Sequence, residues 1–487
     1  MNDVTQPARV WSPHQQHIFD FVQHGTGNAI VKAVAGSGKT TTIVEALARV
    51  RGTSLFLAFN KAIAEELKRR GVNARTFHSL TYNPVARHRK VKDANPDALR
   101  DTLRENVPAP TVAMYGSFVT RLVSLGKQVG IGCLVPDEPG IWHALVAHHD
   151  LDLEEEAGDM NYAVELARQL LEWSYRAPRM DFDDMLYIAV RDGLVLPKYD
   201  IVFVDEAQDT NAIQRAILRK VMHDDTRIIA VGDPAQAIYG FRGADSESMA
   251  LIARDFDCTE LPLTVTYRCP LAVVTQAQRW VADIQPAPGA PQGDVQAFDR
   301  IDARKFEPDD LVVCRTTKPL VSLAYHMLRA RVGVRIMGRE IGQVLKSLVN
   351  KMQARDLARL VEKLGTYTER EVEKAKARDN AAKAEAIQDK TDCVLCLVEG
   401  LPENERTIPS LLRTIDALFA DVRGVTTLAT IHKAKGLEAR RVWWLNSAAC
   451  PAKWARQEWQ QQQERNLCYV AITRAKSSLY FIEDGSK

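Results

Sequence analysis

The chain has 487 residues, enough for several domains that each bury a core. Its 46% hydrophobic and 26% charged residues are those of a folded globular protein, which excludes a disordered or fibrous chain. A net charge of +2 announces no nucleic-acid binder at the level of the whole chain, although cations gathered in one groove escape such a sum.

No apolar run approaches the roughly 20 residues that a membrane-spanning helix needs. Residues 1–6 lack the basic-then-apolar order of a secretory signal. A cytoplasmic protein without a membrane partner is expected. The eight cysteines are scattered, which fits reduced thiols. Cys393-Val-Leu-Cys396 is the one close pair, and without a second pair at ligand spacing two structural thiols in a helix are expected rather than zinc or iron–sulfur.

In chain order, residues 28–34 read as a short buried strand followed by a Gly turn and a helical pattern in which Ile43, Leu47 and Val50 share one face. Runs at 55–59, 201–204 and 227–232 read as further strands with helices between them, which predicts a mostly parallel sheet covered on both faces. Residues 84–179 are helix-rich and charged. They carry a basic patch (Arg87, His88, Arg89, Lys90, Lys92) and an acidic run at 150–156, for both of which a solvated helix face is the default. Asp181-Phe-Asp-Asp-Met185 returns the chain to an apolar, strand-bound pattern.

A second α/β region is expected to start near Leu261, with strands at 311–314, 334–337, 427–431, 442–445 and 479–482. Residues 286–291 form a Pro/Gly-rich loop. A charged, Ala-rich segment interrupts this region, and its part at 369–390 reads as exposed helix. No repeat of solenoid length is evident. The expected organisation is two sheet domains, the first at 1–83 and 181–258 with a helical insertion at 84–180. The second is at 259–341 and 424–487, with a short helical insertion at 342–423.

Two segments carry the chemistry. In Ala33-Val-Ala-Gly-Ser-Gly-Lys-Thr40 the residues Gly36, Ser37 and Gly38 let backbone N–H groups turn onto a phosphate at a helix N-terminus, where the dipole favours anions. Lys39 supplies a positive charge to the β/γ oxygens, and the Thr40 hydroxyl is placed for magnesium. Far downstream, the apolar run 201–204 ends in Asp205, a magnesium ligand, and Glu206, which orients and deprotonates an attacking water. Together they point to hydrolysis of a magnesium-bound nucleoside triphosphate.

After the next strand comes Gly232-Asp-Pro-Ala-Gln236-Ala-Ile-Tyr-Gly-Phe-Arg242. Gln236 is a candidate to reach the γ-phosphate or the water. Phe241 beside Arg242 is the pairing that stacking on a single-stranded base requires, with packing into a local core as its alternative. Arg268 and Arg474 are candidates to neutralise charge in the transition state. Tyr267 stacks on a base or packs as a core tyrosine.

With these segments in order, the chain resembles the UvrD/Rep/PcrA family of superfamily 1 DNA helicases. The resemblance rests on Trp11-Ser-Pro-His-Gln15, residues 35–42, Phe59-Asn60-Lys61, Thr76-Phe-His-Ser79, residues 204–209 and 232–244, Tyr267-Arg268, Thr430-Ile-His-Lys-Ala-Lys-Gly-Leu-Glu438 and residues 464–476. These cover about half the chain. Ala58-Phe-Asn-Lys61 with Thr76-Phe-His-Ser-Leu80 looks closer to compact phage and F-box-type relatives.

The resemblance implies an α/β fold of two RecA-like parallel-sheet domains of P-loop NTPase type, each with a mainly helical insertion. It implies ATP and Mg2+ in the cleft between those domains, single-stranded DNA across both, and 3′→5′ movement. Gln15 would read adenine and Tyr267 stack on it. Thr41, Gly436 and Glu438 would touch the nucleotide, with Gln236 as sensor and Arg268 and Arg474 as arginine fingers. Phe59, Asn60, Thr76, His78, Tyr239, Phe241, Arg242 and His432 would line the DNA path.

The expected partners are single-stranded DNA and single/double-strand junctions, in a bacterial or phage-infected cell, or in the nucleus of a eukaryote. Phe241 stands where the family usually carries Trp, and 342–423 is short against the regulatory subdomain of long members. Little chain follows Lys476, so no nuclease domain or long tail is expected. A translocase that strips proteins or recombination filaments with little unwinding is the alternative. A nucleotide-switched binding module and an RNA substrate rank lower.

Overall fold

A computed structural model of the chain describes residues 10–153, 158–240, 247–300, 302–378, 380–422 and 424–483. Two units are present: residues 1–34 with 38–264, and 35–37 with 265–487.

The first unit is built on six strands: β1 (Asn28–Ala33), β2 (Ser54–Leu57), β3 (Ala74–Arg75), β4 (Tyr199–Val204), β5 (Met222–Gly232) and β6 (Cys258–Leu263). All pair in parallel in the order β3-β2-β4-β5-β1-β6. Parallel strands are covered on both faces, so they read as continuous apolar runs. The alternation along each strand decides the face. Ile30, Leu55, Leu57, Val202, Val204 and Ile228 enter one core, and Ala29, Val31, Phe56, Ile201, Phe203 and Ile229 enter the other.

Helices α1 (Pro13–His24), α2 (Lys39–Leu47) and α3 (Lys61–Arg69) precede a helical region. That region comprises α4 (Phe77–Arg89), α5 (Ala98–Asn106), α6 (Ala109–Val129), α7 (Pro139–His148), α8 (Met160–Arg176) and α9 (Phe182–Arg191). It shares one continuous core with the first sheet face, through Val119, Leu122, Trp142, Leu170 and Ile188. Helices α10 (Ala212–Lys220) and α11 (Ser248–Asp255) complete the unit.

A buried ion cluster ties α6 to α9. Lys127, fully buried, places Nζ 2.9 Å from Asp181 and 2.7 Å from Asp184. Asp181 and Asp184 also form the reciprocal cap that starts α9. Burial works against the lysine's charge, but Asp184 and Asp181 outweigh it and hold its pKa well above the ordinary value. Removing the ammonium strands two carboxylates in the core, so Lys127→Ala is expected to cost about 3–5 kcal/mol. A lowered melting midpoint of the first unit checks this. An unchanged midpoint contradicts it.

The second unit has strands β7 (Val265–Thr266), β8 (Gln285–Pro286), β9 (Asp294–Phe298), β10 (Leu311–Cys314), β11 (Val334–Ile336), β12 (Thr426–Thr430), β13 (Ala439–Leu445) and β14 (Ala475–Ile482). Six of them form a second parallel sheet in the order β11-β12-β10-β13-β14-β9, and β7 pairs with β8. Its helices are α12 (Leu271–Ala277), α13 (Lys318–Arg329), α14 (Arg339–Lys351), α15 (Leu357–Ala377), α16 (Ala381–Gly400), α17 (Ile408–Leu418), α18 (Ile431–Ala434) and α19 (Glu458–Ile472).

Four expectations need correction. The second α/β region begins at Val265, just beyond Leu261, because β6 pairs along the whole of β1 and closes the first sheet. Pro84 does not open an insertion, since α4 runs through it from Phe77. Residues 369–390 are two helices that meet near Asn380, whose side chain caps α16. They are not wholly exposed either, for Ala375, Ala384 and Ile387 are buried. Ile431 starts α18 and does not end β12. Of the acidic run, residues 154–156 lie outside the described residues.

Cys393 and Cys396 both sit on α16, and burial raises both thiol pKa values. Among the described residues no cluster of His, Cys, Asp or Glu is arranged for a metal, and no helix is long and apolar enough to cross a membrane.

Candidate nucleotide and nucleic-acid site

Strands of one direction deliver their following loops to one edge of a sheet, where open α/β folds bind ligands. At that edge of the first sheet stand the segments after β1, β2, β3, β4 and β5.

After β1, Gly36 and Gly38 take left-handed backbone angles (φ 72° and 79°). Such angles strain any residue with a Cβ, so the turn into α2 needs glycine. Gly38 is the N-cap of α2 and offers no side chain to its first N–H groups. Those donors remain for an anion. The Ser37 hydroxyl is buried without a protein partner.

Lys39 opens α2, with Nζ 3.4 Å from the Glu206 carboxylate. The Thr40 hydroxyl lies 3.4 Å from Asp205 Oδ2. Burial opposes the charge of Lys39, but Glu206, Asp233 and Asp205 outweigh it and raise its pKa. Burial, and then the neighbouring Glu206, push the Asp205 carboxyl well above its usual range. Burial does the same to Asp233. Among the described residues three carboxylates therefore face the Lys39 ammonium in a dry setting.

That imbalance fits a bound divalent cation, and Thr40 with Asp205 would hold it. Magnesium takes one or two protein oxygens beside substrate phosphates and water, so a larger acidic cluster is not required. The orphaned Ser37 hydroxyl and the uncapped N-terminus of α2 fit the triphosphate.

Glu206 stands at φ 51°, unusual for a residue with a side chain. Gln208 donates a hydrogen bond to its carboxylate and accepts one from Asp233 N–H at 3.0 Å. Gln236 Nε2 donates to Asp233 Oδ2 at 2.6 Å. Gln236 is thus brought to the cluster through Asp233. Neither Asp233 nor Gln208 was singled out from sequence, although both lie inside the segments that were. Gln208→Ala is expected to lower turnover about tenfold with little change in the KM for ATP, because it frees the Glu206 carboxylate without touching the phosphate cradle. Steady-state kinetics check this, and a raised KM with unchanged kcat contradicts it.

Gln15 is buried beside α2. Its Oε1 accepts from Ser12 N–H at 3.0 Å and its Nε2 donates to Thr42 Oγ1 at 2.9 Å. Thr41 lies one residue beyond Thr40 in the same first turn.

In the second unit, Arg268 Nε contacts Glu438 at 2.7 Å as an ion pair without aligned hydrogen-bond geometry, and Lys476 pairs with the same carboxylate. Burial would raise the Glu438 pKa, but Lys476 and Arg268 outweigh it and hold it low. Arg474 is almost fully buried, and its guanidinium donates to the Val470 and Leu437 carbonyls at 3.0 and 3.1 Å. Both arginines are therefore engaged within their own unit. Gly436, at φ 89°, precedes Leu437, and Tyr267 is exposed. Lys476 closes the segment 464–476 but has no role assigned from sequence, as its pairing with Glu438 joins residues that only the fold brings together.

The nucleic-acid candidates of the first unit follow β2 and β3. Phe59 is exposed, and Asn60 caps α3 by accepting from Ile63 N–H at 2.9 Å. Thr76 caps α4 reciprocally with Ser79. Burial lowers the His78 pKa, which keeps its imidazole neutral at pH 7, and its ring lies edge-on to Phe182 at 6.5 Å. Phe182, half exposed at the start of α9, was not singled out from sequence. Tyr239 follows β5 and is half-buried, and His432 lies on α18 in the second unit. Phe241 and Arg242 lie outside the described residues.

A glycine-rich loop feeding a helix, facing an Asp-Glu pair at the end of a parallel strand of the same sheet, one strand removed, defines a P-loop NTPase site. Comparison with known proteins narrows the class. The family model of the UvrD/REP helicase N-terminal domain matches residues 136–257, and that of the UvrD-like helicase C-terminal domain matches residues 339–484. The chain belongs to the UvrD/Rep family of superfamily 1, and its two parallel sheets are RecA-like.

It is similar to F-box DNA helicase 1 of Gallus gallus, 30% identical over 229 residues, which cover 44% of this chain and 22% of that protein. The ATP-dependent DNA helicase Rep of Salmonella typhimurium is 26% identical over 314 residues, 56% of this chain and 43% of the relative. DNA helicase II of Escherichia coli is 26% identical over 324 residues, 57% of this chain and again 43% of the relative. The chain thus spans less than half the length of the relatives it matches.

Proposed function

We propose that the protein is an ATP-dependent, magnesium-requiring DNA helicase that moves 3′→5′ on single-stranded DNA and opens duplex ahead of it. The observation that carries this reading is the cluster of Lys39, Asp205, Glu206 and Asp233 beside the phosphate loop. The relatives named as DNA helicases supply the substrate class.

In this reading the N–H groups at the start of α2 and Lys39 bind the triphosphate, with Thr41 and Gln15 beside it. Magnesium held at Thr40 and Asp205 supplies charge neutralisation on the phosphate oxygens. Glu206, oriented by Gln208, takes a proton from the attacking water, and Gln236 senses the γ-phosphate. Arg268 and Arg474 leave their present partners to neutralise transition-state charge. Tyr267, Gly436 and Glu438 contact the nucleotide. Phe59, Asn60, Thr76, His78, Tyr239, Phe241, Arg242 and His432 contact the strand, by stacking and by phosphate contacts.

Unwinding of duplexes tailed at the 3′ or the 5′ end tests the proposal. Opening from the 3′ tail alone is the expected result, and opening from the 5′ tail overturns the direction. ATP-driven movement on single strands without opening of either duplex assigns the stripping translocase instead.

A further inference from the structure

The basic run Arg87-His-Arg-Lys-Val-Lys92 has no place in the chemistry above. Its surroundings give it one. Helices α4 and α9 lie side by side and run in the same direction. His78 meets Phe182 at their N-terminal ends, and His88 Nε2 meets Asp192 at 2.8 Å at their C-terminal ends. With 13 residues, α4 is about 20 Å long. The two ends differ in chemistry.

At the N-terminal end, the exposed rings of Phe59 and Phe182 stand near candidate strand contacts, as stacking on unpaired bases needs. At the C-terminal end the aromatic rings are occupied. Tyr175 has Arg191 on its face at 3.6 Å and Arg89 at 5.0 Å, and its hydroxyl donates to Asp192 at 2.9 Å. Tyr82 donates its hydroxyl to the Lys92 carbonyl, which fixes the turn after α4.

That leaves cations. Arg87, Lys90 and Lys92 are exposed, and none has a carboxylate within ion-pair distance among the described residues. The nearby acids are committed elsewhere. Asp192 faces His88 and Tyr175, and Glu172 pairs with Arg176 and Arg191, which leaves Asp93 as the one exposed acid in the run. The helix dipole accounts for Arg87 in the last turn of α4. It does not account for Lys90 and Lys92, which lie beyond the helix, Lys90 as its left-handed C-cap at φ 55°.

We propose that Arg87, Lys90 and Lys92 form a docking surface for the phosphate backbone of duplex DNA. Cations without a free aromatic ring suit a paired strand, which shows phosphates outward and hides its bases. The opposite end of α4 suits an unpaired strand, so the helix spans the passage from duplex to single strand. The inference rests on the DNA-helicase reading and adds to it a place where the duplex is held.

The test compares the parent with the variant Arg87→Gln/Lys90→Gln/Lys92→Gln in binding of a 3′-tailed duplex and of the tail strand alone, across a potassium chloride series. Three lost phosphate contacts are expected to lower the slope of log affinity against log salt by up to about 2.7 for the tailed duplex. Affinity for the tailed duplex should fall tenfold or more at low salt, with the tail strand bound within twofold of the parent. Equal loss on both substrates overturns the assignment to duplex, and an unchanged slope overturns the site. Failure of the parent to bind any DNA sinks the helicase reading itself. If the triple variant melts early, Lys90→Gln alone, with an expected slope change of about 0.9, decides the same question.

Discussion

Replacing Lys39 with alanine is expected to lower ATP turnover by about 1000-fold or more, a loss of roughly 4 kcal/mol of transition-state stabilisation. Among the described residues Lys39 is the ammonium that faces Asp205, Glu206 and Asp233. Without it the triphosphate meets three carboxylates with only magnesium between them, so nucleotide binding weakens as well. Phosphate release by the purified variant checks this. Turnover within tenfold of the parent contradicts the placing of the triphosphate.

Glu206→Gln is the second large effect, and it separates chemistry from binding. The substitution keeps size and an oxygen for Gln208 to donate to, and it removes only the basicity. Turnover should fall by about 10²–10⁴-fold, the usual contribution of a positioned general base. Affinity for ATP should hold or rise, because one repelling charge beside the phosphates is gone. The strained backbone at Glu206 supports the assignment, as unusual φ values concentrate at functional sites. A variant that loses nucleotide binding in step with turnover contradicts the role as base and makes Glu206 a binding residue.

Much of this was legible in the chain because parallel strands announce themselves. Ala29–Val31, Leu55–Leu57, Ile201–Val204 and Leu311–Cys314 are uninterrupted apolar runs, since helices cover both faces. β6 was missed because Cys-Thr-Glu-Leu-Pro-Leu alternates with polar residues and contains Pro262, which only an edge strand accommodates. Its partner β1 lies more than 200 residues earlier, so no local pattern reports the pairing. β9, at the edge of the second sheet, escaped for a similar reason. The division of 369–390 into α15 and α16 was hidden because Ala, Lys and Glu favour helix throughout, and only the cap at Asn380 marks the break.

The site divides in the same way. Gly36, Gly38, Lys39, Asp205 and Glu206 were legible because each motif is contiguous. The supporting contacts were not. Gln208 between Glu206 and Asp233, and Glu438 between Arg268 and Lys476, join residues whose partners only the fold identifies. The pairing of α4 with α9, which places an aromatic end and a basic end on one strip, joins segments about 100 residues apart.

The most direct test of the account is the rate of ATP hydrolysis with and without single-stranded DNA, in magnesium and again after chelation. The account predicts turnover that DNA raises at least tenfold and that chelation abolishes. Turnover indifferent to DNA, or none in the presence of both DNA and magnesium, would contradict a DNA-driven motor built on Lys39, Asp205 and Glu206.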